Sequence, residues 1–195
     1  MTSSTKILMD TCSLIDLFKY YQFDRDYGES ETYSKLMEFI NSKISSKEIV
    51  VIDKVFDELY GEEPHIKLFK KIVEKKTEST TSLLNKVKST CTQFLDRINE
   101  NAKKFTDINV AMLGQKLDEY ENKNADLYLI EYCAKLKTEN VNSILITEES
   151  YKGDKLLPKI PILCRERGLI CKDLPYLLFN HYKEELKFSL NTEKD

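Results

Sequence analysis

The sequence predicts an α/β protein whose parallel sheet is covered by helices on both faces. Three observations carry this. Short, continuous apolar runs rich in β-branched residues recur along the chain, as strands buried on both faces require. Longer segments with helical spacing of apolar residues separate these runs. Only five Gly and four Pro interrupt 195 residues, so long helices are expected to dominate.

The first run, Lys6 to Asp10 (KILMD), reads as a strand ending in an acid, and Leu14, Leu17 and Phe18 then give a helix. A second helical segment, TYSKLMEFINSKI, leads to the run Ile49 to Ile52. Asp53 is placed to cap the next helix and Gly61 to close it. From Glu62 to about Asn122 there is no strand signal, and a polar helical insertion is expected, with Leu83, Leu84, Val87, Phe94, Leu95 and Ile98 buried. Asn124 opens the helix ADLYLIEYCAKLK, and Ser143 to Thr147 forms a third strand. A Pro-marked helix, a short strand Leu169 to Cys171 and a last helix DLPYLLFNHYKEELKF complete a single domain over residues 1–190.

With 41% apolar and 32% charged residues, the composition is that of an ordinary soluble chain. No apolar run is long enough to span a bilayer, and the N-terminus lacks a basic-then-apolar signal, so a cytoplasmic location without membrane contact is expected. Five scattered cysteines and two histidines form no metal-ligand spacing, which excludes a disulfide framework and a zinc site and leaves oxygen as the ligand for any metal. The net charge of −3 exerts no global pull on a polyanion. Between His65 and Lys104, however, ten Lys or Arg stand against four Asp or Glu. A solvated helical face is the plainer explanation of that excess, and phosphate contact through Lys67, Lys70, Lys71 and Lys75 the sharper one.

Three acids fall where a parallel sheet places its active site, at or just beyond strand ends: Asp10, Glu58 and Glu149. Asp126 joins them from the first turn of a helix. Alone, each is more readily a cap than a catalyst. Together, clustered carboxylates raise one another's pKa and persist only if cations neutralise them, for which hard divalent ions such as Mg²⁺ or Mn²⁺ suit oxygen ligands. Such a site supports in-line attack on a phosphodiester.

The segments ILMDTCSLIDLF, VFDELYG, ADLYLIEYCAKL and ILITEES resemble, in order and spacing, the four acidic motifs of PIN-domain ribonucleases. The ending KIPILCRERGLICKDLPYLL further resembles a bacterial and archaeal branch of that family, most of whose members carry only the label of a domain of unknown function. The resemblance implies a three-layer α/β/α PIN-like fold with a central parallel sheet. It also implies Mg²⁺- or Mn²⁺-dependent endonucleolytic cleavage of RNA, leaving 5′-phosphate and 3′-hydroxyl ends, often by the toxin half of a toxin–antitoxin pair. A cognate antitoxin or other protein inhibitor is then an expected partner. By the same resemblance Asp10, Glu58 and Asp126 bind metal directly, Glu149 binds it directly or through water, and Ser13 and Thr147 hold those carboxylates in place. Glu148 stands beside Glu149 as a supporting acid or as the alternative fourth ligand.

Two positions depart from the family pattern: Cys12 occupies a place where relatives carry Asn or Ser, and the fourth acid is Glu rather than Asp. A haloacid-dehalogenase-like phosphatase would need an acid at position 12, and a receiver domain a Lys after a late strand, so neither fits. The remaining rival is a catalytically inactive PIN-fold module that binds nucleic acid or protein. Tyr20, Tyr21 and Phe23 fit base stacking less well than a place in the core or at a homodimer contact.

Overall fold

The computed structural model describes residues 5–21, 31–61, 63–102, 118, 121, 124–150 and 158–186. Four strands, β1 (Lys6–Met9), β2 (Ile49–Val50), β3 (Ser143–Ile146) and β4 (Ile170–Lys172), form one sheet in the order β2-β1-β3-β4 with every pairing parallel. Helices flank it: α1 (Thr11–Tyr21), α2 (Glu31–Ser45), α3 (Asp53–Asp57), α4 (Pro64–Val73), α5 (Leu84–Ala102), α6 (Ala125–Thr138) and α7 (Ile160–Arg167). The architecture is the expected three-layer α/β/α one. Ile7, Leu8, Ile49, Leu145 and Ile146 are buried, because helices cover both faces of the central strands.

Strand order determines where a site can form. The chain passes from β1 to β2 on one side and returns to β3 on the other, which opens a switch point between the carboxyl ends of β1 and β3. Met9 pairs with Ile146 in register, so the next residues, Asp10 and Thr147, leave the sheet side by side.

Several local expectations are corrected. Asp53 is the first residue of α3 rather than its cap. Its carboxylate instead accepts hydrogen bonds from the backbone and hydroxyl of buried Thr80, tying the helix start to a segment 27 residues away. Helix α3 ends at Asp57, well short of Gly61. Gly61 lies at φ 129°, a backbone conformation that residues with a side chain rarely adopt, so glycine suits that turn. The insertion is not free of sheet contact, since Glu78 forms a parallel bridge with Ile52. Leu83 and Val87 are buried as expected and Leu84 is partly so, whereas the side chains of Phe94, Leu95 and Ile98 and residues 103–117 lie outside the described residues. The last helix is broken into α8 (Leu174–Tyr176), a π turn (Leu177–His181) and α9 (Lys183–Leu186), with the Tyr182 N–H donating to the Leu177 carbonyl.

A polar clamp joins three helices on one face. The Thr90 hydroxyl of α5 donates to the Glu131 carboxylate of α6 (2.6 Å) and accepts from Arg167 of α7 (2.6 Å), while Arg167 also pairs with Glu131 at 2.7 Å. Glu131 is buried, so removing Arg167 would strand its charge. Among the described residues no helix is long and apolar enough to cross a membrane.

Candidate active site

Asp10 caps α1: its Oδ1 accepts the Ser13 N–H at 2.6 Å, while Oδ2 accepts the Thr147 hydroxyl from the end of β3. The same Thr147 oxygen accepts the Glu149 N–H at 3.1 Å. One threonine thus fixes two of the four acids across the switch point. The capping carboxylate of Asp10 is buried at the switch point.

Glu58 follows α3 and accepts hydrogen bonds from the Thr11 hydroxyl and from the Ala125 N–H at 2.7 Å. It therefore bridges the first residues of α1 and α6. Asp126 sits one residue further along α6, where the Asn124 side chain accepts its N–H at 2.7 Å as the helix cap. Glu149 accepts the Ile160 N–H at 2.8 Å, at the start of α7. Asp10, Glu58 and Glu149 thus each meet the N-terminus of a different helix, whose partial positive charge offsets part of the crowding.

Electrostatic coupling runs from Asp126 to the other three acids. Burial pushes the Asp126 carboxyl up to about 7, with further upward contributions from Glu149, Glu58 and Asp10, against a downward pull from Asn124. Asp10 is also raised, first by burial and then by Glu149, although Ser13 and Thr147 pull it down. The Ser13 hydroxyl is buried without a well-formed hydrogen bond, yet it lies close enough to Asp10 to favour the ionised form. Cys12, exposed, has its thiol raised by burial of the sulfur and by Asp10, Asp16 and Asp126 around it.

Glu148 has a different partner: its carboxylate accepts the Leu174 N–H at 2.7 Å, and with Glu149 and Thr147 it lines a cavity of about 550 Å³. The two adjacent glutamates thus take different backbone N–H partners while lining the same cavity. Of the basic residues, Lys67 and Lys71 are exposed on α4 and Lys70 is half-buried there. Lys75 lies in the turn beyond Val73 rather than on the helix face expected for it, and Lys76 is engaged by Asn41 (2.7 Å) and Ser45. The side chains of Tyr20 and Tyr21, and all of Phe23, lie outside the described residues. Thr11 went unnoticed in the sequence, although a hydroxyl immediately after Asp10 was a readable signal.

All four donors are oxygen, and their repulsion is of the kind a hard divalent cation relieves. Among the described residues no group of three or more His, Cys, Asp or Glu is arranged to hold a metal ion with the side chains as they stand. Glu58 and Glu149 are drawn instead toward backbone N–H donors. No curated protein and no solved structure matches the chain. A family model described as a domain of unknown function (DUF4411) matches residues 7–184, nearly the whole described core and all four acids, and the chain belongs to that family.

Proposed function

We propose that this protein is a metal-dependent endoribonuclease of PIN type, with Asp10, Glu58 and Asp126 as direct ligands of Mg²⁺ or Mn²⁺ and Glu149 as a fourth acid. The observation that carries the reading is the convergence of these four carboxylates at the switch point, with Asp126 pushed up to about 7 by burial and its three neighbours. When bound, a divalent ion supplies neutralising charge and lowers the pKa of a nucleophilic water. The chain's own groups prepare for it. Thr147 and the Ser13 N–H fix Asp10, Thr11 and the Ala125 N–H fix Glu58, and Asp126 gives up its proton more readily as a cation approaches.

Incubation of the purified chain with single-stranded RNA and Mn²⁺ should yield fragments with 5′-phosphate ends, and chelation should stop the reaction. RNA that is bound but left uncut in Mg²⁺ and Mn²⁺ would instead establish an inactive binding module.

The two glutamates after Thr147 give a sharper test. Glu149→Gln should lose activity chiefly at low metal concentration, since it shares the site with Asp10 and Asp126. Glu148→Gln should leave the metal-concentration dependence unchanged, because a Gln carbonyl can still accept the Leu174 N–H. A reversed pattern in metal titrations of the two variants would transfer the ligand role to Glu148.

The basic residues of α4 and its following turn are proposed to attract the RNA backbone, since α4 packs against α1, the helix that Asp10 caps. A Lys67, Lys70, Lys71 and Lys75 quadruple Gln variant should bind uncut RNA more weakly. Its slope of log affinity against log salt should fall by about 0.7 for each phosphate that is no longer neutralised. An unaltered slope in an Asp10→Asn background would leave the four as a solvated face.

A further inference from the structure

The cavity beside Glu149 has a wall that the acidic cluster does not use. Lys172, the last residue of edge strand β4, places its ammonium 5.1 Å from the ring centre of Tyr176 in α8. The three carboxylates that share this cavity are each turned to a backbone N–H: Glu148 to Leu174, Glu149 to Ile160, and Asp173 to Tyr176 at 2.9 Å. Among the described residues Lys172 has no carboxylate partner. The wall is also held in register with the acids, because the Thr147 N–H donates to the Lys172 carbonyl at 2.9 Å while the Thr147 hydroxyl holds Asp10.

We propose that this cavity is a nucleotide subsite that takes one unstacked base, bearing an exocyclic amino group, against the ring of Tyr176, with Lys172 meeting the flanking phosphate at the rim. At about 550 Å³ the cavity lies within the range of about 300–1,000 Å³ typical of small-ligand pockets. Its three carboxylates against one ammonium make the interior anionic, so the base and not the phosphate enters it. Carboxylate oxygens accept from the amino groups of adenine, cytosine and guanine, whereas uracil offers them only one N–H and two repelling carbonyls. Tyr176 is half-buried with its backbone held by the Asp173 cap, and the base takes the ring face over which Lys172 now sits, the ammonium moving to the rim to meet the phosphate. Duplex RNA keeps its bases stacked and cannot use the site, which makes single strands the substrate class.

The inference rests on the nuclease reading for its meaning, but its test does not depend on cleavage. Affinities of short oligoadenylate and oligouridylate are measured in chelator by the full chain, alongside cleavage of the same strands with Mn²⁺. Oligoadenylate should bind more tightly. Tyr176→Ala, assayed well below its melting temperature because the side chain also packs on the core, should weaken it about tenfold, and Tyr176→Phe, which keeps the ring, should not. Asp173→Asn keeps an oxygen for the Tyr176 cap but turns an acceptor into a donor, and should shift preference toward oligouridylate. Equal binding of both strands, or indifference to Tyr176→Ala, overturns the subsite even if Mn²⁺-dependent cleavage is seen. The expected binding pattern without cleavage in Mg²⁺ or Mn²⁺ supports the subsite and overturns the nuclease reading.

Discussion

Asp10→Asn will abolish metal-dependent RNA cleavage while leaving the protein folded. The substitution is nearly isosteric: the Asn carbonyl can still accept the Ser13 N–H, and its amide can donate to the Thr147 oxygen once that hydroxyl rotates. The helix cap therefore survives, since Asn and Asp cap about equally well. What disappears is a negative charge at the centre of the switch point and, on the proposed reading, a direct ligand of the metal. Thr147→Ala supplies the scale, because it removes only the group behind that carboxylate, a loss that costs roughly 10–100-fold in metal affinity or activity. Asp10→Asn should exceed it at every Mg²⁺ or Mn²⁺ concentration, with a change in unfolding free energy of within about 1 kcal/mol. Single-turnover cleavage and thermal melts of both variants check the ordering. Wild-type turnover by Asp10→Asn at saturating metal would remove Asp10, and with it the reading, from consideration.

Much of this site was legible because parallel strands announce themselves. Continuous β-branched runs mark strands buried on both faces, and the acid that follows each such run necessarily lies near the sheet's carboxyl edge. What escaped depended on contacts distant in sequence. Nothing near Asp53 shows that its partner is Thr80, or near Glu131 that Arg167 and Thr90 meet it. The break at Leu177–His181 was equally hidden. The segment has an unbroken helical pattern, and only the π-turn geometry around fully buried Tyr182 departs from it. Glu148 and Glu149 lay in between: both acids after β3 are plain in the sequence, but which N–H each one takes depends on where Leu174 and Ile160 fall in the fold.

Asp126 should make the metal-free protein less stable as pH rises, and its replacement should remove that slope. Its carboxyl lies near 3.8 unfolded and is pushed up to about 7 in the fold, chiefly by burial and then by Glu149, Glu58 and Asp10. Between those values the native state holds a proton that the unfolded chain has released. The contribution to stability is thus complete below about pH 3.8 and is lost progressively as pH approaches 7, beyond which the penalty stays constant. At pH 8 the cost is on the order of a few kcal/mol at most. Asp126→Asn cannot ionise, so in chelator it should melt above wild type at pH 8 and close to it at pH 4. A residual slope should remain from Asp10, which is raised in the same direction. Divalent metal should act with the opposite pH trend in wild type, stabilising little at pH 5 and most at pH 8, because ligands must be ionised to bind it. That stabilisation should shrink sharply in Asp126→Asn. Melting curves at pH 4, 5, 6.5 and 8, with chelator or Mn²⁺, measure both effects in one series. A wild-type curve in chelator that is flat across this range, or a variant that Mn²⁺ stabilises as strongly as it does wild type, would mean that Asp126 is neither the strained member of the cluster nor a ligand.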